Sequence, residues 1–264
     1  MGTDRDLELT RLRALLDPTR LHGEPDDTAG YLDVLENLPP NSAAAAGGHP
    51  RTFAQRAMES NVVAAVYQRG WRYGLNLAMG RSGPGAEQER RDAADALALG
   101  GEQRVLDVAC GPGNFTHVFA RALRGAGLAV GLDASKPMLA RAVAEHTVPR
   151  AAYLRADARR MPFRDASFDA VCCYAALYLV PEPFTVLVEM LRVLAPGGRI
   201  ALMTSYRGSW ELQRTARTAL GWVGGVRMFD RDELTGVLRA SGLVDIEQQL
   251  SGFVQFVRAR RPES

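Results

Sequence analysis

The sequence is almost without lysine: Lys136 stands alone among 32 basic residues, and all the others are arginine. With 30 acidic residues set against them the formal net charge is only +2, so no excess of one sign argues for nucleic acid as a partner. Arginine in place of lysine along a whole chain has no single physical target, and we read it as codon composition. Cysteine is scarce as well. Cys110, Cys172 and Cys173 offer no Cys-x-x-Cys spacing with matching histidines, which argues against a zinc site and fits a reducing compartment. Cys172 and Cys173 are neighbours and would point to opposite faces of a strand, so they read as small core residues. Long apolar runs are missing: the longest, residues 170–180, falls far short of the ~20 residues a membrane helix needs. The N-terminus also lacks the apolar stretch of a signal peptide. These absences predict a cytoplasmic protein that neither enters a membrane nor binds nucleic acid.

What is present is a normal globular composition, 47% hydrophobic and 23% charged over 264 residues, enough for a sizeable core. The most informative stretch runs from Arg104 to Phe115. Val105, Leu106 and Val108 are β-formers in a short buried run. Gly111-Pro112-Gly113 then demands a sharp turn and permits close backbone approach to another molecule. Phe115, Val118, Phe119 and Leu123 follow at helical spacing. Strand, glycine turn and helix make a pocket for a nucleotide-like ligand at the strand's carboxyl end.

Strands and helices alternate from there. Strands are expected over 128–132, 153–156, 168–174 and 199–204; Ser135 caps one helix and Asp230 with Glu233 another. The last two strands, 243–250 and 253–257, are joined by Ser251-Gly252, too short for a parallel crossover, so they form an antiparallel hairpin. The expected fold is an α/β, Rossmann-like three-layer sandwich, with a mostly parallel seven-stranded sheet closed by that hairpin. Residues 1–50 read as a partly flexible segment, 51–100 as a helical cap with Tyr67, Trp71 and Tyr73, and 101–264 as the ligand-binding domain.

Three acids sit on successive strands: Asp107 inside the first, Asp133 at the end of the second, Asp157 at the end of the third. Asp133 lies 20 residues past Gly113, the usual offset (about 20 residues) for a carboxylate gripping ribose hydroxyls. It would repel a 2′-phosphate. Counting from Gly111, Thr116 stands where the dinucleotide fingerprint has its third glycine, which argues against NAD or FAD.

The segments Val105-Leu-Asp-Val-Ala-Cys-Gly-Pro-Gly113, Gly131-Leu-Asp-Ala-Ser135 and Ala156-Asp-Ala158, with Ser167-Phe-Asp-Ala-Val171 and Glu189 to Ile200, together resemble one family. It is the class I S-adenosylmethionine-dependent methyltransferases, in particular the small-molecule, ubiquinone/menaquinone-type branch. The resemblance implies S-adenosylmethionine as cofactor and no metal. It implies that Asp107 and the backbone of Ala109, Gly111 and Gly113 surround the methionine part. Asp133 would hold the ribose, Ala134 and Met138 the adenine face, Asp157 and Ala158 the adenine edge, and Cys173 would offer its carbonyl near the amino acid end.

A histidine pair often follows the fourth strand in this family; here the positions read Ala176-Leu-Tyr178-Leu179. Tyr178 is the substrate-side candidate, as a hydrogen-bond partner or a base, with a packed aromatic as the simpler reading. Tyr174 and Tyr206 are weaker candidates, His117 reads as structural, and His22, His49 and His146 as loop or exposed residues. The segment 205–226, with Trp210, Leu220 and Trp222, predicts a hydrophobic or aromatic small-molecule acceptor methylated on O, C or N. Two alternatives stand beside it: a cofactor-binding protein that does not methylate, and an NAD-dependent oxidoreductase. Arg155, Arg159, Arg160 and Arg164 form a basic run without interleaved aromatics and read as a solvated face.

Overall fold

The computed structural model describes residues 2–35, 86–208 and 227–263. The cap residues 51–85, with Tyr67, Trp71 and Tyr73, and the segment 209–226, with both of its tryptophans, lie outside the described residues.

Eight strands form one sheet among the described residues. They are β1 (Leu32–Asp33), β2 (Arg104–Val108), β3 (Leu128–Asp133), β4 (Ala151–Arg155), β5 (Phe168–Tyr174), β6 (Leu194–Ser205), β7 (Val244–Ser251) and β8 (Val254–Arg260). Their order across the sheet is β1-β4-β3-β2-β5-β6-β8-β7. Every neighbour from β1 to β6 is parallel; β8 runs antiparallel to β6, and β7 antiparallel to β8. The terminal pair is the hairpin that the short Ser251-Gly252 connection requires. The sheet has one strand more than the sequence pattern shows. β1 is only two residues long, and alternation over two residues gives no periodic signal.

The helices are α1 (Gly2–Arg13), α2 (Ala86–Ala96), α3 (Asn114–Ala122), α4 (Lys136–His146), α5 (Pro183–Val193) and α6 (Arg231–Ala240). Alternation along β2 decides which helix meets which face. Leu106 and Val108 belong to a core shared with Leu9 and Leu12 of α1, Leu187 of α5 and Leu234 of α6. Val105 belongs to the opposite core, with Leu97 just past α2 and Phe115 and Phe119 of α3. The strand residues in that second core are small, namely Ala129, Ala170, Cys172 and Ala201. Small strand residues let α3 lie close to the sheet.

Capping follows the sequence. The Ser135 hydroxyl accepts the Met138 N–H at 3.5 Å, and Asp230 with Glu233 forms a complete capping box. The N-terminal segment is tied in by charge as well as by burial. Glu8 is buried, accepts the Arg150 N–H at 2.9 Å and pairs with Arg11 at 2.7 Å. Asp33, in the edge strand, is buried and bonded by Arg155 at 2.9 Å, with Lys136 at 3.9 Å. Arg159 and Arg164 are also committed, to Asp157 and to the Ala14 carbonyl. Three members of the basic run are therefore built into the fold, and Arg160 is exposed.

Leu12 is fully buried in the main core. Leu12→Ala is expected to lower unfolding stability by about 2–5 kcal/mol in a denaturant titration; a loss under about 0.5 kcal/mol would show that α1 is not part of the cooperative core.

Candidate cofactor site

β2 is the point where the strand order reverses, with β3 and β4 on one side and β5 and β6 on the other. Open α/β sheets bind ligands in the crevice at the carboxyl ends of strands at such a point. The backbone there is strained. Ala109, just past β2, has φ 56°, and Ala175, just past the adjacent β5, has φ 58°. A left-handed conformation costs a non-glycine residue roughly 1–2 kcal/mol, and strain of this kind gathers at binding sites.

Gly111 and Gly113 continue the left-handed alternation at φ 57° and 79°. Their surroundings differ sharply. A Cβ on Gly111 would meet nothing within 4 Å among the described residues, so they leave open space there. A Cβ on Gly113 would lie 2.6 Å from the Tyr153 hydroxyl, which itself donates to the His146 carbonyl at 3.2 Å. Gly113 is thus needed for packing, and Gly111 faces outward. The backbone amides are less available than the family resemblance implies. The Gly111 N–H donates to Asp133 at 2.8 Å and the Gly113 N–H to the Cys110 carbonyl at 3.1 Å.

Asp133 ends β3 and uses both oxygens: Oδ2 accepts from Gly111, and Oδ1 from the Ser135 N–H at 2.9 Å. This tie from the glycine loop to the next strand-helix turn has no signature in residue spacing beyond the offset itself. Each carboxylate oxygen keeps a second lone pair for a ligand. Burial holds the Asp133 carboxyl above the usual range, partly offset by these N–H donors.

Asp107 is 2% exposed and lies on the α3 face of β2. It accepts the Thr116 hydroxyl at 2.6 Å, and the Cys172 thiol lies 3.8 Å from its other oxygen. Burial pushes its carboxyl up to about 7, against the Thr116 donors. Neither Asp107 nor Asp133 forms an ion pair among the described residues. Two carboxylates without a counter-cation beside an open glycine turn make a site suited to a cationic ligand.

The remaining candidates are distributed around this centre. Asp157, at the end of β4, caps a short 3-10 turn that Ala158 begins. Its carboxylate is gripped by Arg159 through Nε at 3.1 Å to both oxygens and through a terminal nitrogen at 2.7 Å, so it does not stand free. Arg159 also reaches Glu182 at 3.0 Å. Ala134 is exposed, its carbonyl accepting from Arg155 at 3.1 Å, and Met138 is buried on α4. Cys173 is buried in β5, its thiol pushed up to about 12 by burial, which leaves it no nucleophilic character near neutral pH.

Tyr178 lies in a 3-10 turn, Leu177–Leu179, past the carboxyl end of β5, and its side chain is buried in the main core. Its carbonyl accepts the Arg227 N–H at 2.9 Å. Tyr174 stacks on Phe115 with ring centroids 4.8 Å apart, and Tyr206 is buried. His146 departs from expectation. It closes α4, is half-buried, bonds Asn114 Oδ1 at 3.0 Å and meets the His117 ring at 4.9 Å between centroids. Burial lowers the pKa of both imidazoles.

A family of methyltransferase domains matches residues 106–202, the segment from β2 to β6. A demethylmenaquinone methyltransferase of Geobacillus sp. is 30% identical over 191 residues, covering 60% of this chain and 78% of the relative. The chain belongs to the class I S-adenosylmethionine-dependent methyltransferases. An uncharacterized chloroplastic methyltransferase of Arabidopsis thaliana is 30% identical over 225 residues, 81% of this chain. This chain spans about three fifths of the length of such Arabidopsis relatives, 62% in that case and 59% in a second. Among solved structures, phosphoethanolamine N-methyltransferase 2 of Haemonchus contortus, in complex with S-adenosyl-L-methionine, superposes with a TM-score of 0.63. The match covers 80% of this chain and 60% of that one at 16% identity, so it speaks to the fold alone. No helix among the described residues of this methyltransferase-family chain is long and apolar enough to cross a membrane.

The two glycines give a paired prediction. Gly111→Ala should fold with only a left-handed alanine's cost, roughly 1–2 kcal/mol, yet weaken binding of S-adenosylhomocysteine at least tenfold by calorimetry. Gly113→Ala should be destabilised further because it displaces Tyr153. Equal stability of the two variants would contradict the contrast in their surroundings.

Proposed function

We propose that the chain transfers the methyl group of S-adenosylmethionine to an O, N or C atom of a small hydrophobic or aromatic molecule. The observation that carries this is the pair Asp107 and Asp133, carboxylates without ion-pair partners among the described residues, beside the turn at Gly111. The cofactor is a sulfonium and an ammonium as well as a carboxylate; Asp107 complements its cationic end, and Asp133 its ribose diol. Thr116 is not the glycine that a dinucleotide fingerprint requires for a pyrophosphate to sit against the start of the helix. The residues present fit the sulfonium cofactor and disfavour the NAD-dependent alternative.

When bound, the cofactor supplies an electrophilic methyl group on sulfur. The chain's own part is to hold and aim. Asp133 takes the ribose hydroxyls on its remaining lone pairs while keeping the loop in place. Ala134 and Met138 border the adenine, and Asp157 with the Ala158 amide meets its polar edge, Arg159 sharing the carboxylate. Asp107 and the backbone at Ala109, Gly111, Gly113 and Cys173 surround the methionine end. Aligning an acceptor with the sulfonium can supply about 7–11 kcal/mol of the barrier without a strong base. Tyr178 is the acceptor-side candidate, contributing a hydroxyl or an aromatic wall.

The hydrophobic character of the acceptor rests on the aromatic content of 51–80 and 205–226. The related demethylmenaquinone methyltransferase is named for a quinone-type acceptor, which is consistent with it. We place the protein in the cytoplasm because its cysteines are free thiols.

Saturating S-adenosylhomocysteine, at about 100 times its dissociation constant, should stabilise the fold by roughly 2.7 kcal/mol, several degrees in a thermal melt. NAD should give no shift, and Asp133→Ala should lose the one seen with S-adenosylhomocysteine; a shift with NAD alone would sink the proposal. With an isotopically labelled methyl donor, the acceptor is the small molecule that gains the labelled mass. Once it is known, Tyr178→Phe should lower turnover; unchanged turnover would remove the hydroxyl from the mechanism.

A further inference from the structure

Thr116 is fully buried in the first turn of α3, at the position where a dinucleotide fold keeps a glycine. Its hydroxyl oxygen lies 2.6 Å from Asp107 Oδ2. That distance is in the range of an O–H donor on an ionised carboxylate, about 2.5–2.7 Å. The sheet makes room for it: Gly131, the β3 neighbour of Asp107, is the residue whose Cβ would come within 2.8 Å of the Thr116 hydroxyl. A β-carbon there would push the hydroxyl off the carboxylate.

We propose that Thr116 is a positioning residue whose hydroxyl keeps Asp107 oriented and ionised beneath the glycine loop, as the fixed negative charge that attracts the cationic cofactor. The proposal rests on the cofactor reading above and goes beyond it by naming what sustains the charge. Asp107 has few other supports. Asp133, from β3, pushes it toward the neutral form. Among the described residues, the other titratable groups on its side of the sheet are Cys110 and Cys172, with Tyr153 from β4 and Tyr174 from β5, while Cys173 lies in the opposite core and acts only through space. Burial raises the pKa of every one of these thiols and phenols, so near pH 7 they are neutral. The Cys172 thiol is a weak donor at 3.8 Å. The Thr116 hydroxyl and amide are the chief groups opposing desolvation, and the balance leaves the carboxyl near about 7. Ionisation then leans chiefly on Thr116, with the Cys172 thiol as a weaker donor.

A cation binds the ionised form of Asp107 more tightly, so cofactor affinity should rise as pH increases through the Asp107 pKa and level off above it. Removing the hydroxyl raises that pKa and moves the rise to higher pH. The experiment is calorimetric titration of S-adenosylmethionine into the full chain from pH 5.5 to 9, using wild type, Thr116→Val, Thr116→Ala, Thr116→Ser and Asp107→Asn. Asp107→Asn, a near-isostere without charge, should lose the pH-dependent rise seen in wild type and so supplies the baseline for the cofactor's own titration.

Thr116→Val should shift the midpoint upward by about one pH unit, which lowers affinity about fivefold at pH 7. Thr116→Ala should do the same should the valine variant fail to fold, and Thr116→Ser should restore the wild-type midpoint. If Asp107→Asn flattens the profile while valine and alanine leave the midpoint where it is in wild type, Thr116 is only packing and the inference fails. If Asp107→Asn keeps the wild-type profile and affinity, Asp107 is not the cofactor's anchor, and that part of the functional reading falls instead.

Discussion

The site depends on one carboxylate that bridges two turns. Asp133 accepts the Gly111 N–H with one oxygen and the Ser135 N–H with the other. The first bond fixes the loop that follows β2, and the second fixes the start of α4, which Ser135 caps. Buried N–H groups must find acceptors, and a left-handed loop cannot find them within a regular ladder. Asp133 supplies the acceptor from the neighbouring strand and so locks the strained run Ala109 to Gly113 in place. The same side chain that would grip a ribose is therefore the one that shapes the floor beneath it.

Close packing of α3 is the second constraint. In a dinucleotide fold a glycine in the helix permits the approach; here the small residue is on the strand. Gly131 leaves space for Thr116, and Ala129, Ala170 and Cys172 keep the surrounding surface low. Moving the small residue from helix to sheet puts a hydroxyl at the loop's base, where Asp107 needs a donor. Tyr153 fills the other side, against Gly113, with its own hydroxyl tied to the end of α4. Packing and electrostatics are in this way set by the same few side chains.

The alternation of strands and helices from 104 onward was legible because buried parallel strands and amphipathic helices carry strong periodic signals. The closing hairpin was legible from a connection too short for a crossover. Asp133 was identifiable from its distance to Gly113, yet its bond to Gly111 was not, because spacing along a chain says nothing of where a free lone pair points. Thr116 drew notice only as a missing glycine; its partner, nine positions earlier, becomes visible when the two elements fold face to face. The edge strand Leu32–Asp33 is too short to show a period, and its place depends on the Asp33 pair with Arg155. Arg159 on Asp157 belongs to the same class: an arginine in a basic run looks solvated until its acceptor is known.

In the function proposed above, two acids without ion-pair partners among the described residues and a glycine turn would hold the methyl donor at the point where the sheet order reverses. A crystal structure of the complex with S-adenosylhomocysteine tests it most directly. The account predicts the ligand across the carboxyl ends of β2 and β3, with Asp133 within hydrogen-bond distance of both ribose hydroxyls and the amino acid end over Gly111. Ligand bound elsewhere on the sheet, or in this crevice with its ribose away from Asp133, would contradict it.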